Sequence, residues 1–236
     1  MKYLEKYGKE AEVFVCACHR LAQNMYVTGH GGNLAWKLEP GTIMISPTQM
    51  NKGRIQPEDL VFITPGGEVI EGKRKPSGET PLHLNFFRER PDIRSIIHSH
   101  PPMASVFAIT KGRNLLMRPI LPETVFEVGP VPVVPYAEPV SQKLADNFLP
   151  FLKKYNSFLM ESHGLVLISP HGIQQTLMLT ELVEATSTSL LEAAQMGEIK
   201  EIGRDEVQKL DKIMKARGVS MIGAPGENAS LVDLYF

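Results

Sequence analysis

The chain has 236 residues, 43% of them hydrophobic and 22% charged, with a formal net charge of −1. That length supports one full core, expected as a single domain over residues 1–236, and the near-zero charge without like-charge runs excludes a nucleic-acid footprint or a membrane-surface patch. The charged opening MKYLEKYGKEAEVF is not a secretory signal, no stretch reaches membrane-spanning length, and Cys16 and Cys18 read as reduced thiols, so a cytoplasmic protein is expected.

Leu4, Tyr7, Ala11, Phe14, Cys18, Leu21 and Met25 recur at three- and four-residue spacing, which predicts an amphipathic helix over 2–25. The glycine-rich run TGHGGNLAW follows. Short β-like runs come next at 42–46 and 60–64, with a PGG turn at 65–67. A helix is predicted over 79–90, with Pro81 in its first turn and Pro91 past its end. Residues 94–98 read as a strand, 102–110 as a short helix, and 118–135 as a proline-spaced extended region. Residues 140–154 read as helical. Strands at 158–160 and 165–168 flank the tetrapeptide ESHG, and helices follow at 172–196 and 204–216. There is no internal repeat or low-complexity linker, and the alternation of elements argues for one α/β layer structure.

The stretch IIHSHPP carries the chemical question. On a strand, residues i and i+2 point to one side, so His98 and His100 aim at one point if the strand reaches that far. His163, at another strand edge and followed by Gly164, is the best third ligand, and three histidines complete a catalytic-type zinc site with one open position. His19, inside the first helix, reads as structural; His30, His83 and His171 are the remaining three. Two histidines at this spacing also suit ordinary polar positions where a strand meets a loop, so the residues alone leave both readings open. The JAMM-type metalloprotease motif, which begins His-Ser-His-Pro, is discounted because its serine and aspartate positions hold Ile109 and Gly112.

The wider pattern decides. KPSGETPLHLNFFRERPDIRSIIHSHPP, with TGHGGN before it and SHGL after it, resembles the class II aldolase/adducin family over residues 10–200, motif by motif in the family's order. The resemblance implies a three-layer α/β/α sandwich around a largely antiparallel central sheet, and homotetramers with active sites between neighbours. His98, His100 and His163 stand where the family keeps three zinc ligands, which argues against a non-catalytic adducin-like module. Glu79 stands at the family's catalytic carboxylate; the family's epimerases carry Asp there, so Glu leans toward an aldolase. Asn33, Thr48, Ser77 and Gly78 match segments that bind the sugar phosphate. Gly78 replaces the usual serine, and Gln49 the usual glycine.

Leu121 falls where fuculose-type aldolases place a tyrosine from the neighbouring subunit. Glu123 falls near a glutamate of rhamnulose-type aldolases and is the expected second acid/base, ahead of Glu127; Tyr235 could cover the site or simply pack. The implied activity is zinc-dependent cleavage of a ketose 1-phosphate, of the L-rhamnulose or L-fuculose kind, to dihydroxyacetone phosphate and an aldehyde. A pentulose-phosphate 4-epimerase or a methylthioribulose-phosphate dehydratase is the alternative. The expected partner is a small sugar phosphate, with no nucleic acid and no membrane. The pull on Glu79 is left open: a helix N-terminus favours its anion, whereas a closed pocket opposes it.

Overall fold

The computed structural model describes residues 2–39 and 41–236. Its centre is an eight-stranded sheet of order β4-β3-β2-β1-β5-β8-β7-β6, with only β6 parallel to its neighbour. The strands are β1 (Asn33–Glu39), β2 (Thr42–Ile45), β3 (Val61–Ile63), β4 (Val69–Glu71), β5 (Ser95–Ser99), β6 (Val133–Val134), β7 (Ser157–Met160) and β8 (Gly164–Ser169).

The middle strands are apolar on both faces, so both faces must be covered. Ile96 of β5 joins one core cluster and Ile97 the next. On one side, Val166 and Ile168 of β8 pack with α3 (Thr80–Glu89), α6 (Gln142–Asn147) and α7 (Leu149–Leu152). Phe86 meets Phe148 edge-on there, with ring centroids 4.8 Å apart. On the other side, α2 (Gly8–Gln23) covers β1–β3 through Phe14, Cys18 and Leu21. Helices α4 (Pro102–Ile109) and α8 (Ile173–Met196) cover Leu165 and Leu167. The result is the expected α/β/α sandwich around a mostly antiparallel sheet. Among the described residues no helix is long and apolar enough to cross a membrane. Cys16 is exposed and Cys18 buried on α2, both free, and burial pushes the Cys18 thiol up to about 12.

Four expectations need correction. The helix over 2–25 is two, α1 (Lys2–Lys6) and α2, broken at Tyr7, whose ring stacks on Phe62. The extended region 118–135 contains a helix, α5 (Pro122–Glu127). Pro122 opens it because a ring-fixed φ suits the first turn. Residues 140–154 divide at Phe148 into α6, capped by the Ser141 hydroxyl, and α7, where Pro150 lies in a new first turn. Strand β1, missing from the predicted elements, lies at the sheet's centre. The C-terminal helices α9 (Arg204–Ala216) and α10 (Leu231–Tyr235) pack on α5 through Val125, Val207, Met214 and Leu231.

Candidate metal centre and active site

The start of β1, the end of β5 and the start of β8 meet at one end of the three central strands. Asn33 pairs with His98 across β1/β5, and His98 with Val166 across β5/β8. His98 is the penultimate residue of β5, and His100 follows the strand, its N–H donating to Tyr26 O at 2.7 Å. His163 sits in the tight β7–β8 hairpin, where Ser162 adopts φ 56 and His163 N–H donates to Met160 O at 3.0 Å. Two glycines make room for the cluster. A Cβ on Gly164 would fall 2.5 Å from His100 Cδ2, and one on Gly31 would fall 2.9 Å from His100 Nδ1.

The three rings converge. Their ligand atoms lie within 4.8 Å of one another, and His100 Nε2 is 3.1 Å from His98 Nε2. Tetrahedral zinc with Zn–N near ~2.0–2.1 Å needs ligand nitrogens ~3.3 Å apart, so the residues fit the ion. The tautomer fits too. His98 Nδ1 faces Leu165 O at 3.1 Å, and since a carbonyl only accepts, Nδ1 carries a hydrogen and Nε2 is the nitrogen turned to the cluster. Burial, then the neighbouring His98 ring, pushes His163 down to about 4; burial with His98 and His163 pushes His100 down to about 3. Both are therefore neutral near pH 7, as ligands must be. His163 Nδ1 is buried without a partner.

Glu79, at the N-terminal boundary of α3, does not cap its own helix. Its carboxylate turns to the rings, with Oε2 3.6 Å from His98 Nε2 and Oε1 3.9 Å from His163 Nε2. Asn33 Nδ2 donates to Oε2 at 2.8 Å, and the Asn33 oxygen accepts from His83 Nε2. Burial pushes the Glu79 carboxyl up, but His98, the Asn33 hydrogen bond, His163 and His83 outweigh it and leave it below the usual carboxylate range. The anion wins. His83, fully buried and pushed down to about 4 by burial, is a neutral donor at the base of this chain. It lies one helical turn after Glu79 on α3, a spacing that could have identified it.

A cleft of about 210 Å³ opens above the cluster and is lined by Asn33, Thr48, Ser77, Gly78, Glu79 and the three histidines. Two loops form its far wall by bonding to each other: Thr48 N–H donates to Lys75 O at 3.0 Å and Ser77 N–H to Ser46 O at 3.1 Å. The Ser77 hydroxyl accepts from Glu79 N–H at 3.2 Å. Gly78 N–H has no partner among the described residues. Gln49 holds the left-handed φ of 53 that its customary glycine would adopt freely. Val140 (φ 68) and Lys52 also line the cleft and were not anticipated.

Glu123 lies in the first turn of α5 and is exposed; neither it nor Glu127 lines the cleft of its own chain. Tyr235 is half-buried against the α5–α9–α10 cluster, where its hydroxyl reaches Val125 O at 3.5 Å, so it packs there and does not line the cleft of its own chain. His19 is structural, Nε2 meeting Ile55 O at 2.8 Å. A larger cavity of about 480 Å³ holds His171 and Glu127 at the far end of β8, but the three histidines above form the one candidate metal cluster among the described residues.

Fold and site together define a class of protein: three converging histidines that could hold a metal, and one carboxylate, in a small cleft at one end of the central strands of a doubly covered, mostly antiparallel sheet. The profile of the Class II Aldolase and Adducin N-terminal domain matches residues 12–191, and the chain belongs to this family. It is 31% identical over 212 residues to 5-deoxy-D-ribulose 1-phosphate aldolase of Bacillus thuringiensis serovar kurstaki, covering 89% of this chain and 97% of that one. It is 34% identical over 146 residues to 3-oxo-tetronate 4-phosphate decarboxylase of Pectobacterium atrosepticum, covering 61% of this chain and 66% of that one. Among solved structures, YgbL of Klebsiella pneumoniae, described as an aldolase/epimerase/decarboxylase, superposes with a TM-score of 0.79 at 31% identity, over 86% of this chain and 98% of its own.

Proposed function

We propose that the protein is a zinc-dependent aldolase that cleaves a ketose 1-phosphate reversibly to dihydroxyacetone phosphate and an aldehyde. The observation that carries this reading is the Glu79 carboxylate held within 4 Å of two of three converging histidines. The likeness to a ketose 1-phosphate aldolase over nearly that enzyme's whole length supports it.

His98, His100 and His163 would hold the zinc, which when bound supplies Lewis-acid polarisation of the ketone and stabilises developing oxyanion charge by several kcal/mol. Glu79 handles the carbon-bound proton. In the aldol direction its carboxylate, kept ionised by the Asn33 bond, takes a proton from the carbon beside the dihydroxyacetone phosphate ketone; in cleavage it returns that proton to the same carbon. Such proton transfer contributes ~10²–10⁴-fold. His83 and Asn33 hold the carboxylate in place. Ser77, Gly78 and Thr48 hold the phosphate. The aldehyde's oxygen needs its own acid/base, and Glu123 meets that need if α5 of a neighbouring subunit reaches the cleft, as in a tetramer with sites between chains.

A second reading is a decarboxylase acting on a phosphorylated 3-oxo acid, which would use the same polarised ketone; the decarboxylase relative favours it. A coupled assay for dihydroxyacetone phosphate separates the two. Chelator-sensitive release from 5-deoxyribulose, rhamnulose or fuculose 1-phosphate is expected. Carbon dioxide release from a 3-oxo acid phosphate, without triose phosphate from any ketose, would select the second reading.

A further inference from the structure

Lys52 is 2% exposed, yet it forms no ion pair among the described residues. A buried ammonium without a counter-ion is costly and is retained only for a reason. Its Nζ donates to Met50 O at 3.0 Å and to His30 O at 3.4 Å. An ammonium has three N–H donors, so one is uncommitted. Lys52 lines the cleft, where it is the one lysine or arginine, and its charge helps hold His100 unprotonated. Burial pushes its own pKa down; the facing group is the Cys18 thiol, itself held neutral by burial.

The two loops that carry Thr48 and Ser77 offer the cleft fewer free donors than their sequences suggest, because the Thr48 and Ser77 amides are consumed by Lys75 O and Ser46 O. A phosphate dianion would find there hydroxyls and the Gly78 N–H, all neutral. We infer that Lys52 is the charged half of the phosphate subsite: the substrate's phosphate supplies the counter-ion that the folded protein lacks. This rests on reading the cleft as a sugar-phosphate site. It adds a positioned cation to the cleft that the small-residue loops line, and it explains why the lysine is buried rather than snorkelling to solvent.

The test pairs the wild-type chain with Lys52→Met at equal metal loading, with inorganic phosphate as probe and chloride at matched ionic strength as control. Wild type should gain thermal stability with phosphate, and Lys52→Met should bind phosphate at least tenfold more weakly while unfolding at the same temperature or higher without it. Lys52→Gln should behave alike and replaces the Met variant should that fail to fold; Lys52→Arg should recover part of the affinity. With substrate, the loss should fall on KM more than on kcat. Unchanged phosphate affinity in both neutral variants, or no protection of wild type, overturns the inference. Because phosphate binding is read without turnover, it stays testable even when no aldolase activity is found.

Discussion

The chain buries two long cations in two ways. Arg90, 1% exposed, spends all five N–H groups. Nε and Nη2 donate to the Asp92 carboxylate at 2.9 and 2.8 Å, Nη1 to Leu152 O and Tyr155 O, and Nη2 to Asn156 Oδ1. Lys52, equally buried, has two carbonyls and no anion. The arginine ties the end of α3 to the segment between α7 and β7; the lysine ties little and faces a cleft. The same contrast holds for their neighbourhoods. Around the cleft, His163 Nδ1 and His83 Nδ1 are buried without partners, and Gln49, Val140 and Ser162 sit at positive φ. Where a fold satisfies every buried group, the group is structural; where it leaves several unsatisfied together, something is meant to bind.

The sharpest way to separate the two regions is to remove one group from each. Glu79→Gln should lower kcat ~10²–10⁴-fold while leaving metal content and unfolding midpoint nearly unchanged. A variant that loses stability instead would make Glu79 a structural residue. Arg90→Met should do the reverse: it leaves Asp92 and three further acceptors unpaired, costing about 3 kcal/mol in urea unfolding, near the lower end for broken buried pairs because Asp92 is partly exposed. Activity per folded molecule should hold.

Acid should erode the cleft selectively. His83 titrates at about 4 in the fold against an ordinary 6.5, so the unfolded chain binds its proton first as pH falls. Above 6.5 this costs nothing. Between 6.5 and 4 stability drops, by about 2 kcal/mol at pH 5 from His83 alone, and His100 and His163 add to it in metal-free protein. Urea midpoints of the metal-free chain at pH 7 and 5 should show the drop, and His83→Leu should shrink it. The smallest effect is expected at Gln49: Gln49→Gly relieves left-handed strain of ~1 kcal/mol but frees the unfolded chain by a similar amount, so stability should move by less than about 1 kcal/mol.

These contrasts also mark what the sequence could show. Local rules made His98, His100 and His163 candidates, the family pattern decided between metal site and plain polar residues, and the structure brings all three together, with His100 just past the end of β5. Glu79 was legible only through the family resemblance, because its place at a helix start reads equally well as an ordinary first-turn charge. β1 was missed although Leu34, Trp36 and Leu38 alternate along NLAWKLE, because the run follows a glycine-rich turn and its second partner, β5, lies far on in sequence. α5 was hidden by a proline that reads as extended yet opens a helix. Asn33 is expected from the resemblance to bind phosphate and does line the cleft; what the sequence did not show is that its amide also bridges Glu79 and His83, a pairing across 46 and 50 residues. Lys52 drew no reading from the sequence, because burial is a tertiary property that no local pattern carries.

The central claim is that the three histidines hold a catalytic metal. Zinc titration of the metal-free chain, followed by competition with a chromophoric chelator, tests it most directly. One tightly bound zinc per chain is expected in wild type, with that site lost in His98→Ala and retained in Glu79→Gln. A wild-type chain that takes up no zinc, or a His98→Ala variant that binds it equally well, would contradict the account.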